Sequence, residues 1–205
     1  MATTGRERRE ERRAQRLAAQ QRAERAGRRR TYGLIVALAI VIIAGIVAFA
    51  VTRPPQAVPG EQHLNDPVTA KGQLYSHIPE GQPITYTSYP PAFGDHYPTP
   101  KAWQAFDSPV PDGYFVHNLE HGGIVILYHC PSGCASTVDQ LKNLYNTLPK
   151  DQFNEVKLVI SPYANETHEI TLLAWDYRLE LNSLNLSAVT AFYREHVDQG
   201  PEHIA

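Results

Sequence analysis

Residues 114–129 read YFVHNLEHGGIVILYH, and the fold turns on how this stretch is divided. Residues 114–118 and 124–129 are rich in aromatic and β-branched side chains, and Leu119-Glu120-His121-Gly122-Gly123 between them ends in a glycine pair suited to a tight connection. This pattern predicts a β-hairpin. Its second run, IVILY, is apolar throughout, as in a strand buried on both faces.

Downstream, Val138, Leu141, Leu144, Tyr145 and Leu148 recur at helical spacing, which predicts a helix over 134–148 stopped by Pro149. Residues 156–161 form a second apolar run. From Leu173 to Leu181 apolar and polar residues alternate with period two, which predicts a single strand. Ser187 is the expected N-cap of a last helix through His196, with Val189, Phe192 and Val197 as its buried stripe. Upstream, 73–111 is rich in Pro, Tyr and Gly and reads as irregular chain with a short strand near 84–87. The expected fold class is α+β: a mixed or antiparallel sheet with about two helices on one face, occupying residues 73–205.

The N-terminal part has a different character. Residues 33–51, GLIVALAIVIIAGIVAFAV, carry no charge or strongly polar group, and at 1.5 Å per residue they nearly span a hydrocarbon core of about 30 Å. They are expected to be one N-terminal transmembrane helix. A cleaved signal peptide is the rival reading, supported by the small-x-small form of Ala48-Phe49-Ala50, but its apolar run is usually shorter. Residues 1–30 hold eleven Arg against four Glu, while 53–205 hold eight Lys plus Arg against seventeen acids. The asymmetry predicts a basic cytoplasmic tail over 1–32 and an extracytoplasmic C-terminal domain. A nucleic-acid arm is the weaker reading of the Arg run, because interspersed Glu dilutes its field and anionic lipid already accounts for it. The bilayer is therefore the one expected partner, with no nucleic acid and no protein partner that the sequence can name. Residues 52–72, with four prolines among polar residues, read as a stalk.

Five of the nine histidines fall in four short stretches: His77, His96, His117 and His121, and His129. Imidazole is the commonest metal-binding side chain, and His117 with His121 can converge across one helical turn or a tight hairpin loop. His96, His117 and His121 are the expected metal ligands, suited to zinc or copper. His77, Glu120 and His129 are candidates for extra ligands or for groups that orient the ligands. The arrangement is not the HExxH of zinc hydrolases. The structural alternative is that Glu120 caps a turn and the histidines hydrogen-bond to backbone. The chain has no phosphate-binding glycine loop, nucleophile elbow or paired-carboxylate motif.

Cys130 and Cys134, the only cysteines, flank Pro131-Ser132-Gly133 at a strand-to-helix junction, where the positive helix end favours a thiolate. The segment resembles, in these few residues, the C-x-x-x-C-plus-His copper sites of Sco-type copper chaperones. A local disulfide, soft-metal ligation and packed inert thiols all remain open, the disulfide being sterically allowed at this spacing.

The runs HIPEGQPITYTSYPPAFGDHY and HNLEHGGIVILYH, with the closing Gly200-Pro201-Glu202, resemble the bacterial membrane-anchored family designated domain of unknown function 3105. The resemblance spans roughly 70–202 and carries His77, His96, His117, Glu120 and His121 as motif positions. Ala92-Phe93 departs from its pattern, and the cysteine pair lies outside it. The family carries no assigned activity, so the resemblance names relatives and no reaction. The expected function is an extracytoplasmic metal-binding protein, possessing copper or zinc as its cofactor and handling the ion. A metal-free structural or interaction module with a local disulfide comes second. An enzyme with a His-bound zinc and Glu120 as general base comes third.

Overall fold

The computed structural model describes residues 32–33, 35–45, 57–130, 133–202 and 204. The chain divides into two units, Met1–Pro54 and Pro55–Ala205. In the first unit residues 32–33 and 35–45 are helical, with Ile35, Val36, Leu38 and Ile40 to Ile43 all exposed. Among the described residues no helix is long and apolar enough to cross a membrane. The rest of the expected span and residues 1–31 of the basic tail lie outside the described residues.

The second unit is α+β. Its strands are β1 (Gln62–His63), β2 (Ile124–Tyr128), β3 (Leu158–Pro162), β4 (Ile170–Ala174) and β5 (Tyr177–Leu181). Its helices are α1 (Asp112–Glu120), α2 (Ala135–Lys142), α3 (Leu144–Thr147) and α4 (Leu186–His196). The sheet order is β1-β5-β4-β2-β3. β2 and β3 are parallel and every other pair is antiparallel, so the sheet is mixed.

The expected hairpin at 114–129 does not form, because its first arm is α1 and only IVILY is a strand. Two physical reasons decide this. β2 lies inside the sheet with both edges taken, by β3 and β4, so no hydrogen-bonding edge is left for residues 114–118. Phe115, Val116 and Leu119 also stand at i, i+1 and i+4 and pack as one helical face against Val125, Leu127, Val159 and Leu173. Each such large side chain contributes about 1.5–3 kcal/mol on full burial. Tertiary burial outweighs the strand preference of YFV.

The glycine pair ends this helix instead of turning a hairpin. Gly122 adopts φ +76°, its N–H donates to Leu119 O (2.9 Å), and Gly123 N–H donates to Asn118 O (2.9 Å). That is the Schellman pattern, which needs a residue tolerant of the left-handed conformation at Gly122.

The sheet is covered on both faces, not on one. Ile124, Ile126, Leu158, Ile160 and Leu172 face a core completed by Leu141, Leu144, Val189 and Phe192 from α2, α3 and α4. Val125, Leu127, Val159 and Leu173 face α1. The strand run 156–161 appears as β3, displaced by about two residues. The helix expected over 134–148 is present in two pieces joined at Asn143, with Leu141, Leu144 and Leu148 buried as its spacing implies. The single strand expected at 173–181 is instead the end of β4, a turn and all of β5, because Asp176 (φ +67°) turns the chain and Ala174 pairs with Tyr177. The turn reverses parity, so Leu173 shares a face with Arg178. Asn185, not Ser187, caps α4, accepting from Ser187 N–H and Ala188 N–H at 3.1 Å. No strand forms at 84–87.

The stalk reading of 52–72 fails for its later part. Gln62 and His63 pair with Arg178 and Tyr177 as the edge strand β1. Asp66 is buried, accepting hydrogen bonds from Tyr75 Oη (2.8 Å) and Trp175 Nε1 (3.2 Å). Polar residues here are ordered by contacts with β5 and its turn, which composition alone does not register.

Candidate metal centre

The last turn of α1 places His117, Glu120 and His121 on one side, since residues three and four apart are neighbours on a helix. Loops bring the remaining histidines to them. Ile78 N–H donates to His96 O (2.7 Å) and His96 N–H to Ser76 O (3.2 Å), a short parallel bridge that holds His77 beside His96. The following loop lies on α1 through Tyr97 N–H to Gly113 O (2.9 Å). Gly113 permits this approach, because a Cβ there would meet the Tyr97 ring at 2.8 Å. Asn118 clamps the same loop, donating to Lys101 O (2.7 Å) and accepting from Lys101 N–H (2.9 Å).

The rings of His77, His96 and His117 lie with centroids 4.8–5.0 Å apart in every pairing. Together with Glu120 they offer four ligand atoms, all within 4.8 Å of one another. His96, His117 and Glu120 are buried and His77 is exposed. Nothing cationic from Lys or Arg is among the groups in this set.

Hydrogen bonds settle which ring nitrogens face the cluster. A carbonyl oxygen can only accept, so His96 Nδ1–H donates to Gly94 O (2.9 Å) and His117 Nδ1–H donates to Tyr97 O (2.6 Å). In the neutral rings both Nε2 atoms then carry a lone pair. This is the orientation by backbone carbonyl that metal-ligating histidines use. His96 Nε2 stands 2.8 Å from Glu120 Oε2, and among the described residues neither buried atom has another hydrogen-bond partner. Two electron-rich atoms this close require a positive charge, which a proton on His96 or a metal ion can supply.

The electrostatics agree with a site built around one shared cation. Burial acts against a charge on His96, but contact with Glu120, Gly94 O and Asp95 outweighs it and raises the pKa. Burial likewise works to raise Glu120, and His96, His117 and His77 outweigh it and hold the carboxyl below its ordinary value. Burial lowers His117. His121 falls to about 4, first through burial and then through neighbouring His117. The rings of His117 and His121 are therefore neutral near pH 7.

The expected ligand triad His96, His117 and His121 is rearranged. His77 and Glu120, expected in supporting positions, stand in the four-donor set, whereas His121 is outside it and groups with Glu120 and Glu202. His121 Nε2 is 2.9 Å from His117 Nε2 and 3.5 Å from Glu202 Oε2. His129 does not join the cluster, because the five residues of β2, about 17 Å of strand, separate it from the end of α1. Cys130 and Cys134 lie at that same far end, joined as a disulfide with Cα atoms 5.6 Å apart. With His129, Glu166 and Glu169 they line a separate cavity of ≈ 560 Å³. Thiolate ligation at the histidine cluster is thereby excluded.

Two further groups at the site, Lys157 and Glu202, were not among the expected site residues. Lys157 is wholly buried, donating to His121 O (3.0 Å), Asp198 Oδ1 (3.0 Å) and Ile204 O (2.6 Å). Glu202 is brought back by its N–H to Glu120 O (3.0 Å). Only the recurrence of Gly200-Pro201-Glu202 in the family pattern pointed to this segment.

Fold and cluster define an α+β domain that gathers four histidines and two glutamates at the end of one buried helix. The chain belongs to the family described as "Protein of unknown function (DUF3105)", which it matches over residues 77–205, a span that contains the whole cluster. No curated protein and no solved structure matches the chain.

Proposed function

We propose that the chain is a single-pass, membrane-anchored extracytoplasmic protein that binds copper or zinc through His77, His96, His117 and Glu120 and handles the ion without using it for hydrolysis. The observation that carries the metal reading is the buried pair His96 Nε2 and Glu120 Oε2, 2.8 Å apart, in a set of four donor atoms all within 4.8 Å of one another. The Nδ1–H bonds of His96 and His117 to backbone carbonyls support it further. A nitrogen-rich donor set with one carboxylate suits Zn(II) or Cu(II) better than Cu(I), which favours thiolates.

The anchoring rests on residues 33–51 and the Arg excess before them. Exposed apolar side chains on the described part of the helix fit contact with lipid. The Cys130 and Cys134 disulfide fits an oxidising compartment outside the cytoplasm. One observation favours the metal-free reading, namely that a proton on His96 would also satisfy Glu120.

Metal analysis of the full chain separates the two. The expected outcome is tight uptake of Zn(II) or Cu(II) by the metal-free protein, weakened at least about 100-fold in His96→Ala and His117→Ala. A folded chain that takes up neither ion would leave His96 and Glu120 as a structural ion pair.

A further inference from the structure

The donors of the cluster fall into two overlapping sets. The first is His77, His96, His117 and Glu120; the second is Glu120, His121 and Glu202, whose ligand atoms also lie within 4.8 Å of one another. Glu120 is common to both. We infer that the chain holds two metal ions side by side, bridged by the Glu120 carboxylate, with the second ion on His121 and Glu202. This rests on the reading that the first set binds metal.

Three observations carry it. Glu120 is 2 % exposed, and its Oε2 faces His96 Nε2 at 2.8 Å, so the shared carboxylate is buried at the junction of the sets. His117 and His121 are neighbours on one helical turn, and their Nε2 atoms are 2.9 Å apart, His121 Nε2–H donating to His117 Nε2, so the two sets lie side by side. His117 Nε2 carries a lone pair because Nδ1–H is held by Tyr97 O, and an ion would take it in place of the His121 hydrogen bond. Carboxylates bridge ion pairs at separations of about 3.5–4 Å, which suits one glutamate serving two such sets.

The second position is also built by the backbone, independently of any ion. Asp198 N–H donates to Gly122 O (2.9 Å) and Glu202 N–H to Glu120 O (3.0 Å), so the C-terminal segment wraps the end of α1. Gly200 lies against Glu120 O and Gly122 N, where any side chain would overlap them. Lys157 ties His121 O, Asp198 and Ile204 O together beneath this wrap. The result is to deliver the Glu202 carboxylate to within 3.5 Å of His121.

The test is titration of the metal-free full chain with Zn(II), counting bound zinc per chain and measuring the metal–metal distance by X-ray absorption. Two ions are expected in the native chain, with a zinc–zinc vector at about 3.5–4 Å. Glu202→Gln is expected to bind one ion and to lose the vector; His121→Gln should do the same, which guards against a folding defect in either variant. One ion in the native chain, unchanged by Glu202→Gln, overturns the second position and leaves the first standing. Two ions that persist in both variants overturn it as well. No zinc in the native chain removes the single-site reading together with this one.

Discussion

Replacing Lys157 with Met should be the most damaging single change to the C-terminal half of the domain. The Lys157 ammonium is wholly buried and offsets two carboxylates, Asp198 at 3.0 Å and Asp151 at 3.4 Å. The Asp151 side chain is itself fully buried: its Oδ1 accepts from Phe153 N–H (2.9 Å) and Glu155 N–H (2.7 Å), while its Oδ2 has no hydrogen bond. Methionine matches the length of the stem but leaves these charges and the carbonyls of His121 and Ile204 unpaired. Removing one partner of a buried ion pair costs about 3–5 kcal/mol, a large part of a typical domain stability of about 5–15 kcal/mol. Denaturant unfolding followed by Trp fluorescence reads this directly, since Trp175 is 6 % exposed in the core facing α1. The double change Lys157→Met with Asp198→Asn should recover part of the loss, because Asp198 is then no longer a stranded charge. A loss under about 1 kcal/mol, the range of a surface ion pair, would refute the reasoning.

Asp112, at the first turn of α1, has its pKa raised from 3.8 to about 6 by burial, against a lowering contact with Tyr163. A raised folded-state value means stability fully present below about pH 4 that is lost as pH rises through about 6; the stability of native chain relative to Asp112→Asn should therefore fall across that window, and a flat difference would remove the assignment. Alkylation of the extracted chain without reductant should leave Cys130 and Cys134 unlabelled, while complete labelling of both would show that the disulfide does not persist in the cell. A reporter fused after Ala205 should be active only outside the cytoplasm, and cytoplasmic activity there would overturn the proposed topology.

Much of this protein is determined by residue order alone. IVILY is a buried strand, the leucine spacing of 134–148 is helical, and His77, His96, His117, Glu120 and His121 stand out as candidate ligands because imidazole and carboxylate side chains recur in short motifs. The tertiary structure decided the rest. Residues 114–118 became helix because β2 had no edge left to pair, and local preference carries no information about which edges are taken. The two-residue turn at Asp176 escaped notice because the polar–apolar alternation runs through it while the chain reverses beneath. His77 displaced His121 from the four-donor set because a loop bridge to His96 fixes its position, and spacing along a chain says nothing of where loops cross. His129 and the cysteines, only a few residues from the cluster in sequence, stand at the other end of β2, since an extended strand carries neighbours in sequence about 17 Å apart in five residues.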